Sequence, residues 1–512
     1  MLVKSFGSAV FGIEATTITI EVNIDKGIGF SLVGLPDNAV KESQQRIKAS
    51  LTNNGYTYPM KEITINMAPA DIRKEGSTFD LPIAIGLMAA SNQIKPDNLE
   101  NYVLLGELSL DGTLNPLKGI LPIALKAKEE GFKGIILPTK NVREAAIVDG
   151  IEVYGADDIN QVIDFLNNGT GLERTTIDIK QEFYDKLDNL SVDFRDVKGQ
   201  QNIKRAFEIA ASGGHNIVLI GPPGAGKSML AKRLPTILPP MNLNESLETT
   251  KIHSVAGKVS AGAGLITQRP FRKPHHTISD VALVGGGGYP QPGEISLAHN
   301  GVLFLDELPE YKRAVLEVMR QPLEDRTVTI SRAKFTVEYP AGFMLVAAMN
   351  PCPCGFYNHP DKDCVCGPGV VQNYLNKISG PLLDRIDLHV EVTPVNFDEL
   401  AYHQPEEGSK NIRERVIQAR LVQEARFRNI DNTHCNAQMT SKQLRKYCKV
   451  GDTCNIILKQ AMDRLGLSAR AYDRILKVAR TIADLEKSED IQTAHISEAI
   501  QFRSLDRDNW AK

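Results

Sequence analysis

Residues 221–228 read Gly221-Pro222-Pro223-Gly224-Ala225-Gly226-Lys227-Ser228, and this stretch decides the fold of the centre of the chain. The apolar run at 217–220 is typical of a buried strand, and the residues after Ser228 have the pattern of a helix. Glycines between a strand and a helix let backbone N–H groups point towards phosphate oxygens, and the helix N-terminus adds partial positive charge. The pattern therefore predicts a phosphate-binding loop in which Lys227 reaches the β- and γ-phosphates and Ser228 holds Mg²⁺.

A second apolar run, 301–305, ends in the two acids Asp306 and Glu307. We assign to Asp306 a second-sphere contact with Mg²⁺ and to Glu307 the polarisation of the attacking water. A strand that ends in acids is by itself a weak signal, because many strand ends carry solvated acids. This strand follows the phosphate-binding loop by about eighty residues, and the two motifs together are a strong signal for an ATPase. We therefore predict that the chain binds ATP with Mg²⁺ and hydrolyses it.

Three further polar residues suit an ATPase. Asn350 ends an apolar run and is expected to bond the γ-phosphate or the attacking water. Arg385 lies among apolar neighbours, and a buried arginine needs an anionic partner. That partner is either Asp384 or Asp387 of the same chain, or the ATP of a neighbouring subunit. Arg470 begins a C-terminal helix, where it either closes on the phosphates or lies solvated on the helix face.

The bulk composition limits the other function classes. A chain of 512 residues is expected to form two to four domains. Its net charge of −3 gives no argument for nucleic-acid binding, which would need local basic patches. No stretch approaches the apolar length needed to cross a bilayer, so we expect a cytoplasmic protein without a membrane partner.

The pattern along the chain indicates an α/β multidomain protein. Alternating apolar and polar residues predict half-buried strands near 18–24 and 63–67 in an α/β domain at 1–170. A polar linker follows at 171–195, then an α/β ATPase core at 196–395. Segments after 410 have helical spacing, which predicts a helical domain at 396–512.

The motifs also resemble a known family. The run 269–279 (Arg-Pro-Phe-Arg-Lys-Pro-His-His-Thr-Ile-Ser), the glycines 285–288, the run 292–299 and the Asp306-Glu307 strand are similar to magnesium-chelatase-like AAA+ proteins of the ComM/YifB type. The resemblance covers essentially the whole chain. It implies a Lon-protease-like (ribosomal S5 domain 2-like) N-terminal domain, an AAA+ P-loop core related to the chelatase ATPase subunit and to replicative MCM helicases, and a helical C-terminal lid.

The resemblance also implies roles and partners. Known members form hexameric rings, and ComM proteins act as ATP-driven DNA helicases that extend branch migration when single-stranded DNA recombines with the chromosome. By motif match, Asn350 would be the first sensor, Arg385 the arginine finger and Arg470 the second sensor.

The N-terminal domain departs from the peptidase pattern that its resemblance to Lon suggests. Thr78 falls near the position of the serine nucleophile, and Leu121 stands where the lysine base is expected. A hydroxyl without a neighbouring base is a poor nucleophile. We therefore expect a non-catalytic scaffold, with Lys118 as the one residue near enough in sequence to substitute.

Two basic segments are candidates for DNA contact. From Lys251 to Ser279 the chain carries no acid, and Arg269, Arg272 and Lys273 stand in this stretch. Two strand-like runs near 327–331 and 335–339 flank Arg332 and Lys334, which predicts a hairpin with a basic tip. Both segments suit a phosphate backbone, and both also suit a solvated surface or a subunit contact.

The cysteines predict a metal site. Four of the seven lie at Cys352, Cys354, Cys364 and Cys366, so a loop at 352–366 could close a tetrahedral Zn²⁺ site. The Cys-x-Cys pairs are tighter than usual zinc spacing, His359 is an alternative ligand, and four reduced thiols are the plain alternative.

The leading hypothesis is a branch-migration motor that acts on single-stranded or branched DNA. A chelatase-type or chaperone-like AAA+ ATPase is the main rival; the fused N-terminal domain and the basic stretches favour the motor. An ATP-dependent protease is disfavoured by Leu121. A regulator whose ATP cycle only sets its oligomeric state is the remaining alternative.

Overall fold

The computed structural model describes residues 2–74, 76–95, 97–178, 183, 192–259, 264–288, 290–332, 335–357, 359, 362–394, 406–430 and 433–503. They form two compact units. The first is Met1–Lys186 with Leu243–Thr267, and the second is Leu187–Asn242 with Gln268–Lys512. The prediction of an α/β multidomain chain is confirmed.

The segment Leu243–Thr267 lies inside the range predicted for the ATPase core, yet it packs within the first unit. Its side chains explain this placement. Leu265 is buried in an apolar cluster of the first unit, and Leu247 packs against the same cluster. The hydroxyl of Ser254 donates to the buried carboxylate of Glu144. The sequence around 243–267 gave no composition shift by which this crossing could be recognised.

The first unit is built on a mixed seven-stranded sheet with the order β3-β4-β2-β1-β5-β8-β9. The predicted alternation is confirmed, because Ile18, Ile20 and Val22 are all fully buried on one face of β2. The strands are β1 Leu2–Phe11, β2 Glu14–Asp25, β3 Gly29–Val33, β4 Glu62–Ala68, β5 Tyr102–Leu104, the paired β6 Glu107–Leu108 and β7 Leu114–Asn115, β8 Gly134–Pro138 and β9 Glu152–Ala156.

Helices of the first unit cover this sheet. Asp37 caps the first helix by accepting a hydrogen bond from the backbone N–H of Val40 at 2.8 Å. Every residue of Asp80–Ala90 is buried, as its apolar run predicts. The helices are α1 Asn38–Asn53, α2 Asp80–Ala90, α3 Ile120–Glu129, α4 Val142–Ala145, α5 Ile159–Asn168 and, from the later segment, α8 Leu243–Val255.

The second unit contains a five-stranded sheet with the order β11-β14-β17-β10-β18, and each neighbouring pair is parallel. Its central strands are buried along their whole length, as parallel strands covered on both faces should be. The sheet strands are β10 Ile217–Ile220, β11 Phe271–Arg272, β14 Val302–Leu305, β17 Met344–Met349 and β18 Leu388–Glu391, with a small pair at β12 Gly285–Gly286 and β13 Gln291–Pro292.

The predicted hairpin is present as β15 Thr327–Arg332 and β16 Phe335–Pro340, which pair antiparallel. One face of the hairpin is buried through Val328, Val337 and Tyr339. The hydroxyl of Tyr339 donates to the carbonyl oxygen of Pro290 at 2.8 Å. These contacts fix the base of the hairpin on the second unit.

Helices make up most of the remainder, including the described residues of the C-terminal region. Across the part of the chain that the structure describes, no helix combines the length and the apolarity needed to cross a bilayer. The helices are α6 Gln201–Gly213, α7 Lys227–Ile237, α9 Asp280–Val284, α10 Glu294–Leu297, α11 Arg313–Glu317, α12 Arg320–Asp325, α13 Pro368–Leu375, α14 Gly380–Leu383, α15 Ser409–Phe427, α16 Ser441–Tyr447, α17 Asp452–Leu465, α18 Ala469–Leu485 and α19 Thr493–Gln501.

Candidate nucleotide site

The strand order of the parallel sheet gathers the polar residues that follow its strands. Lys273 follows β11, Asp306 follows β14, Asn350 follows β17 and Gly221 follows β10. Because parallel strands end at a common edge, these four positions lie side by side. That edge is where open α/β sheets bind ligands.

The phosphate-binding loop has the backbone that its glycines permit. Gly226 has a φ of +86°, which a residue with a side chain rarely adopts, and it stands directly before α7. The ammonium group of Lys227 donates to the carbonyl oxygens of Gly221 at 2.6 Å and Pro222 at 2.9 Å. It also donates to Oδ1 of Asn350 at 3.1 Å. Burial lowers the pKa of Lys227 to about 8, although the charge of Asp306 acts in the opposite direction.

Ser228 and Asp306, the two residues predicted to serve Mg²⁺, are in direct contact. The hydroxyl of Ser228 donates to Oδ2 of Asp306 at 2.7 Å. Burial raises the pKa of Asp306, but hydrogen bonds from Lys273 and Ser228 outweigh it and leave the pKa below its ordinary value. A hydroxyl beside an ionised carboxylate is the oxygen-rich donor set that Mg²⁺ prefers, so these residues fit the ion.

Lys273 was assigned to DNA from the sequence, but the structure places it at this site. Its Nζ lies 2.9 Å from Oδ2 of Asp306 and 5.1 Å from the centre of the Phe304 ring. The sequence did not reveal this because β11 has only two residues, too few for strand periodicity. The useful signal would have been the strand order, which brings the ends of β11 and β14 together.

Glu307, the predicted water-polarising residue, has a left-handed backbone with a φ of +54°. Its side chain is 59 % exposed, and its Oε2 lies 3.2 Å from Nδ1 of His276. His276 comes from the same segment as Lys273 and was not singled out from the sequence. Asp306, predicted to serve Mg²⁺, and Glu307, predicted to polarise water, therefore each have a basic partner from residues 273–276.

The two predicted arginines contact acids of their own unit. Nη2 of Arg385 lies 2.5 Å from Oε1 of Glu324, and the Arg385 side chain is only 8 % exposed. Neither Asp384 nor Asp387, the partners weighed from the sequence, is its recorded ion-pair partner among the described residues. Asp384 instead lies 3.7 Å from the largely exposed Arg470.

Arg269 and Arg272, two further candidates for DNA contact, also have internal partners. Arg269 donates to the carbonyl oxygens of Pro239 at 2.6 Å and Asn300 at 2.8 Å. Arg272 makes a two-pronged contact with Glu294 at 2.6 and 2.7 Å. These bonds stabilise the second unit without any nucleic acid.

The basic hairpin tip is only partly described. Arg332 ends β15, and its backbone pairs with that of Phe335. Lys334 lies outside the described residues. The hairpin itself is confirmed, and the DNA role of its tip stays a prediction.

The four clustered cysteines come together in space. Their sulfur atoms all lie within 4.8 Å of one another. The Sγ–Sγ distances are 3.3 Å for Cys352–Cys354, 3.7 Å for Cys352–Cys364 and 3.6 Å for Cys354–Cys364. Four thiolates around Zn²⁺ at about 2.3 Å would stand about 3.8 Å apart, so the donor set fits the ion. His359 instead has its ring 5.6 Å from the ring of Phe356.

The cysteine loop also packs on the phosphate-binding loop. Gly355 has a φ of +85°, and a Cβ on it would lie 2.5 Å from Cδ of Pro223. Only glycine allows this approach, so the backbone at Gly355 packs against the ring of Pro223.

Comparison with known proteins matches three successive segments to one family. Residues 20–141 match "Subunit ChlI of Mg-chelatase", 193–400 match "Magnesium chelatase, subunit ChlI", and 406–503 match "Magnesium chelatase, subunit ChlI C-terminal". The chain is 44 % identical over 504 residues to competence protein ComM of Haemophilus influenzae, which covers 98 % of this chain and 97 % of that protein. It is also 44 % identical over 501 residues to YifB of Salmonella typhimurium, covering 98 % and 96 % of the two chains.

The chain belongs to the ComM/YifB family of magnesium-chelatase-like AAA+ proteins. Weaker matches cover parts of it. DNA replication licensing factor Mcm7 of Schizosaccharomyces pombe is 24 % identical over 58 % of this chain and 38 % of its own. Lon protease 2 of Bacillus subtilis is 27 % identical over 34 % of this chain and 35 % of its own. The predicted family and an AAA+ ATPase are thus confirmed.

The positions that would form a Lon-type dyad have other surroundings in this family member. Leu121 is fully buried on α3, and its backbone N–H donates to Glu144 at 3.0 Å. The side chain of Lys118 lies against Gly257, where an added Cβ would come within 2.7 Å of it. The carbonyl oxygen of Thr78 accepts a hydrogen bond from Gly106 at 3.2 Å. A scaffold role for this unit stays a prediction.

Proposed function

We propose that this chain hydrolyses ATP and uses the energy to move DNA strands, as a hexameric ring that promotes branch migration in recombination or in integration of transforming DNA. The observation that carries the ATPase part is the set of contacts at the sheet edge. Lys227 bonds Asn350, and Ser228 bonds Asp306. A phosphate-binding cation, a Mg²⁺ donor set and a water-binding amide therefore stand at one place. Mg²⁺ supplies charge that neutralises the phosphate oxygens.

The DNA part of the proposal rests on two relatives and on the β15–β16 hairpin. The names of two relatives, a competence protein and a DNA replication licensing factor, point to DNA processes in those proteins. In this chain, the buried base of the β15–β16 hairpin would present Arg332 and Lys334 at its tip. Lysine and arginine side chains suit a phosphate backbone whatever its base sequence.

The proposal that the chains form a ring depends on Arg385. The Arg385 side chain is almost fully buried and lies beside Glu324, an acid of its own chain. We propose that it is presented to the ATP of the next subunit, which would join the phosphate-binding edge of one chain to the arginine of another. Each complete site would then need two chains.

The deciding experiment measures ATP turnover and strand movement together. We expect turnover to rise strongly with single-stranded or four-way-junction DNA, and the protein to displace a labelled strand of that junction only with ATP. Lys227→Ala is the control that should abolish both activities. Turnover that ignores DNA would overturn the motor, and absent turnover with bound ATP would overturn the ATPase as well.

The hairpin is tested by Arg332→Ala and Lys334→Ala. Both should weaken DNA binding across all sequences and reduce its dependence on salt, because each removes about one phosphate contact. Lys446→Ala, an exposed lysine on α16, serves as the matched control. DNA affinity and DNA-stimulated turnover that match the unchanged chain would remove this assignment.

A chelatase-type or chaperone-like ATPase is the second candidate. It is favoured by the match of residues 193–400 to a chelatase subunit. It predicts ATP turnover that responds to a protein or metal-insertion partner and not to DNA.

We also propose a structural Zn²⁺ in the cysteine loop. Protein purified without added zinc should contain about one ion per chain. Cys364→Ser should lose it, whereas Cys454→Ser, outside the cluster, should keep it. Metal-free protein with an unchanged melting temperature and nucleotide affinity would contradict the site.

A further inference from the structure

We propose that His276 is a positioning residue for Glu307, holding that carboxylate where it meets the attacking water. The inference rests on the ATPase function proposed above. It gives a role within that site to the pair His275-His276, which no other part of the proposed function uses.

The contact itself is direct. Nδ1 of His276 lies 3.2 Å from Oε2 of Glu307, which is hydrogen-bond distance. We place the imidazole N–H on Nδ1, so that it faces Oε2 and leaves Oε1 to face a water molecule. Because only one of the two carboxylate oxygens is engaged, the contact orients the group without removing its ability to accept a proton.

Glu307 needs such a partner because packing does not fix it. Its side chain is more than half exposed, and it follows a residue at the end of a buried strand. An exposed glutamate samples several rotamers, and a base that is misplaced by about 1 Å loses much of its effect on rate. A fixed donor at Oε2 selects one rotamer.

His276 can act as that fixed donor because its segment is held in three places. Lys273 contacts Asp306 at 2.9 Å. The carbonyl oxygen of Pro274, which is buried, accepts a hydrogen bond from the Tyr311 hydroxyl at 2.7 Å. The Tyr311 ring also meets the His276 ring edge-on, with centroids 6.4 Å apart.

The remaining neighbour is His275. Its ring lies against that of His276 with centroids 4.2 Å apart, and its Nδ1 bonds the hydroxyl of Thr277 at 2.9 Å. The adjacent tilted ring therefore restricts rotation of the His276 side chain. One short segment thus contacts both acids that follow β14, Asp306 through Lys273 and Glu307 through His276.

A surface ion pair of this exposure would by itself change stability little, so the test uses a kinetic signature. We expect His276→Ala to lower kcat by about tenfold to a hundredfold while the ATP KM, the affinity for a fluorescent ATP analogue and the melting temperature stay unchanged. His276→Asn should recover most of the rate, because its Nδ2 is as many bonds from Cα as Nδ1 of histidine. His276→Gln carries its amide one bond further out and should recover less.

Two controls separate this role from a general disturbance. His434→Ala removes an exposed histidine elsewhere in the second unit and should leave kcat unchanged. In a Glu307→Gln background, His276→Ala should cause no further loss, because residues that act through one another are not additive.

The outcomes also separate this inference from the function on which it rests. Absent turnover in the unchanged protein would overturn the proposed ATPase and the inference with it. Normal turnover that His276→Ala leaves intact, or an equal loss in the Asn and Ala variants, would overturn only the inference.

Discussion

The phosphate-binding half and the arginine half of the candidate ATP site differ in how far one chain prepares them. On the phosphate side, the predicted residues contact one another: Lys227 meets Asn350, and Ser228 meets Asp306. On the arginine side, Arg385 contacts Glu324 and Arg470 contacts Asp384. Both arginines are thus paired with carboxylates of their own chain.

The difference has a physical origin. The carboxyl ends of neighbouring parallel strands lie side by side. The residues of the phosphate side follow these strands, so folding of the sheet alone brings them together. A buried guanidinium without an anion is costly, so Arg385 must have an acid whenever no phosphate is present. Glu324 fills that need for Arg385 within the chain, whereas the exposed Arg470 lies only loosely beside Asp384. If a second chain brings the phosphate, the arginines must exchange partners.

Arg385 gives the largest expected effect. Arg385→Ala should lower kcat of the assembled protein by about 10³-fold or more, because an arginine at the transferring phosphate is worth that much. ATP affinity should change little, since the phosphate side is intact. Steady-state turnover against protein concentration, with analogue binding, measures both.

Two controls sharpen this prediction. Arg320→Ala removes a nearby arginine that pairs with Glu317 at 2.9 Å, and it should leave turnover unchanged. Mixing Arg385→Ala chains with Lys227→Ala chains should restore part of the activity, because some sites then receive Lys227 from one chain and Arg385 from the other. A mixture as inactive as its components would place both residues in one chain's own site.

Glu307→Gln should give the second-largest effect on turnover. It keeps the size of the side chain and removes the base, so kcat should fall by about 10²- to 10⁴-fold while ATP still binds. Unlike Arg385→Ala, it should not be rescued by Lys227→Ala chains. Both substitutions disable the phosphate side of the chain that carries them. No site in the mixture then has Glu307 and Lys227 intact on the same chain. Rescue in that mixture would mean that the two residues serve different sites.

The lowered pKa of Lys227 predicts that, above pH 8, the Kd for ATP rises by about tenfold per pH unit. Burial lowers its pKa to about 8, and the charge of bound phosphates beside it must raise that value. Above pH 8, ATP binding therefore takes up a proton and the Kd rises with pH; below pH 8 the lysine is already charged, so this dependence disappears. Isothermal titration in buffers of different ionisation heat measures the uptake. Lys227→Arg should abolish it, since guanidinium stays charged.

The sequence revealed the phosphate side because its signals are local. Strand, loop and helix follow one another at 217–234, and the strand before Asp306 is continuous. The β15–β16 hairpin and the C-terminal helices were accessible for the same reason. Periodicity within ten residues is enough to identify such elements.

The partners of the charged groups could not be predicted, because they depend on contacts distant in sequence. Glu324 lies sixty-one positions before Arg385, and Lys273 lies thirty-three before Asp306. The two-residue β11 carries no periodic signal, and it is this strand that brings residues 273–276 to the acids. The placement of 243–267 in the first unit was hidden likewise, since only its contacts with Glu144 and the surrounding apolar cluster reveal it.

Arg470 gives the smallest expected effect and the finest test of partner exchange. Its pair with Asp384 is long at 3.7 Å, and its side chain is 67 % exposed, so the pair contributes at most about 1 kcal/mol to stability. If Arg470 exchanges Asp384 for phosphate, Asp384→Ala should lower the ATP KM by up to about fivefold, and Arg470→Ala should raise it. If the pair is only a surface contact, both variants should shift the melting temperature equally and leave KM alone. If Asp384→Ala lowers the ATP KM and Arg470→Ala raises it, then Asp384 and the phosphates compete for Arg470. Neither variant alone would show this competition.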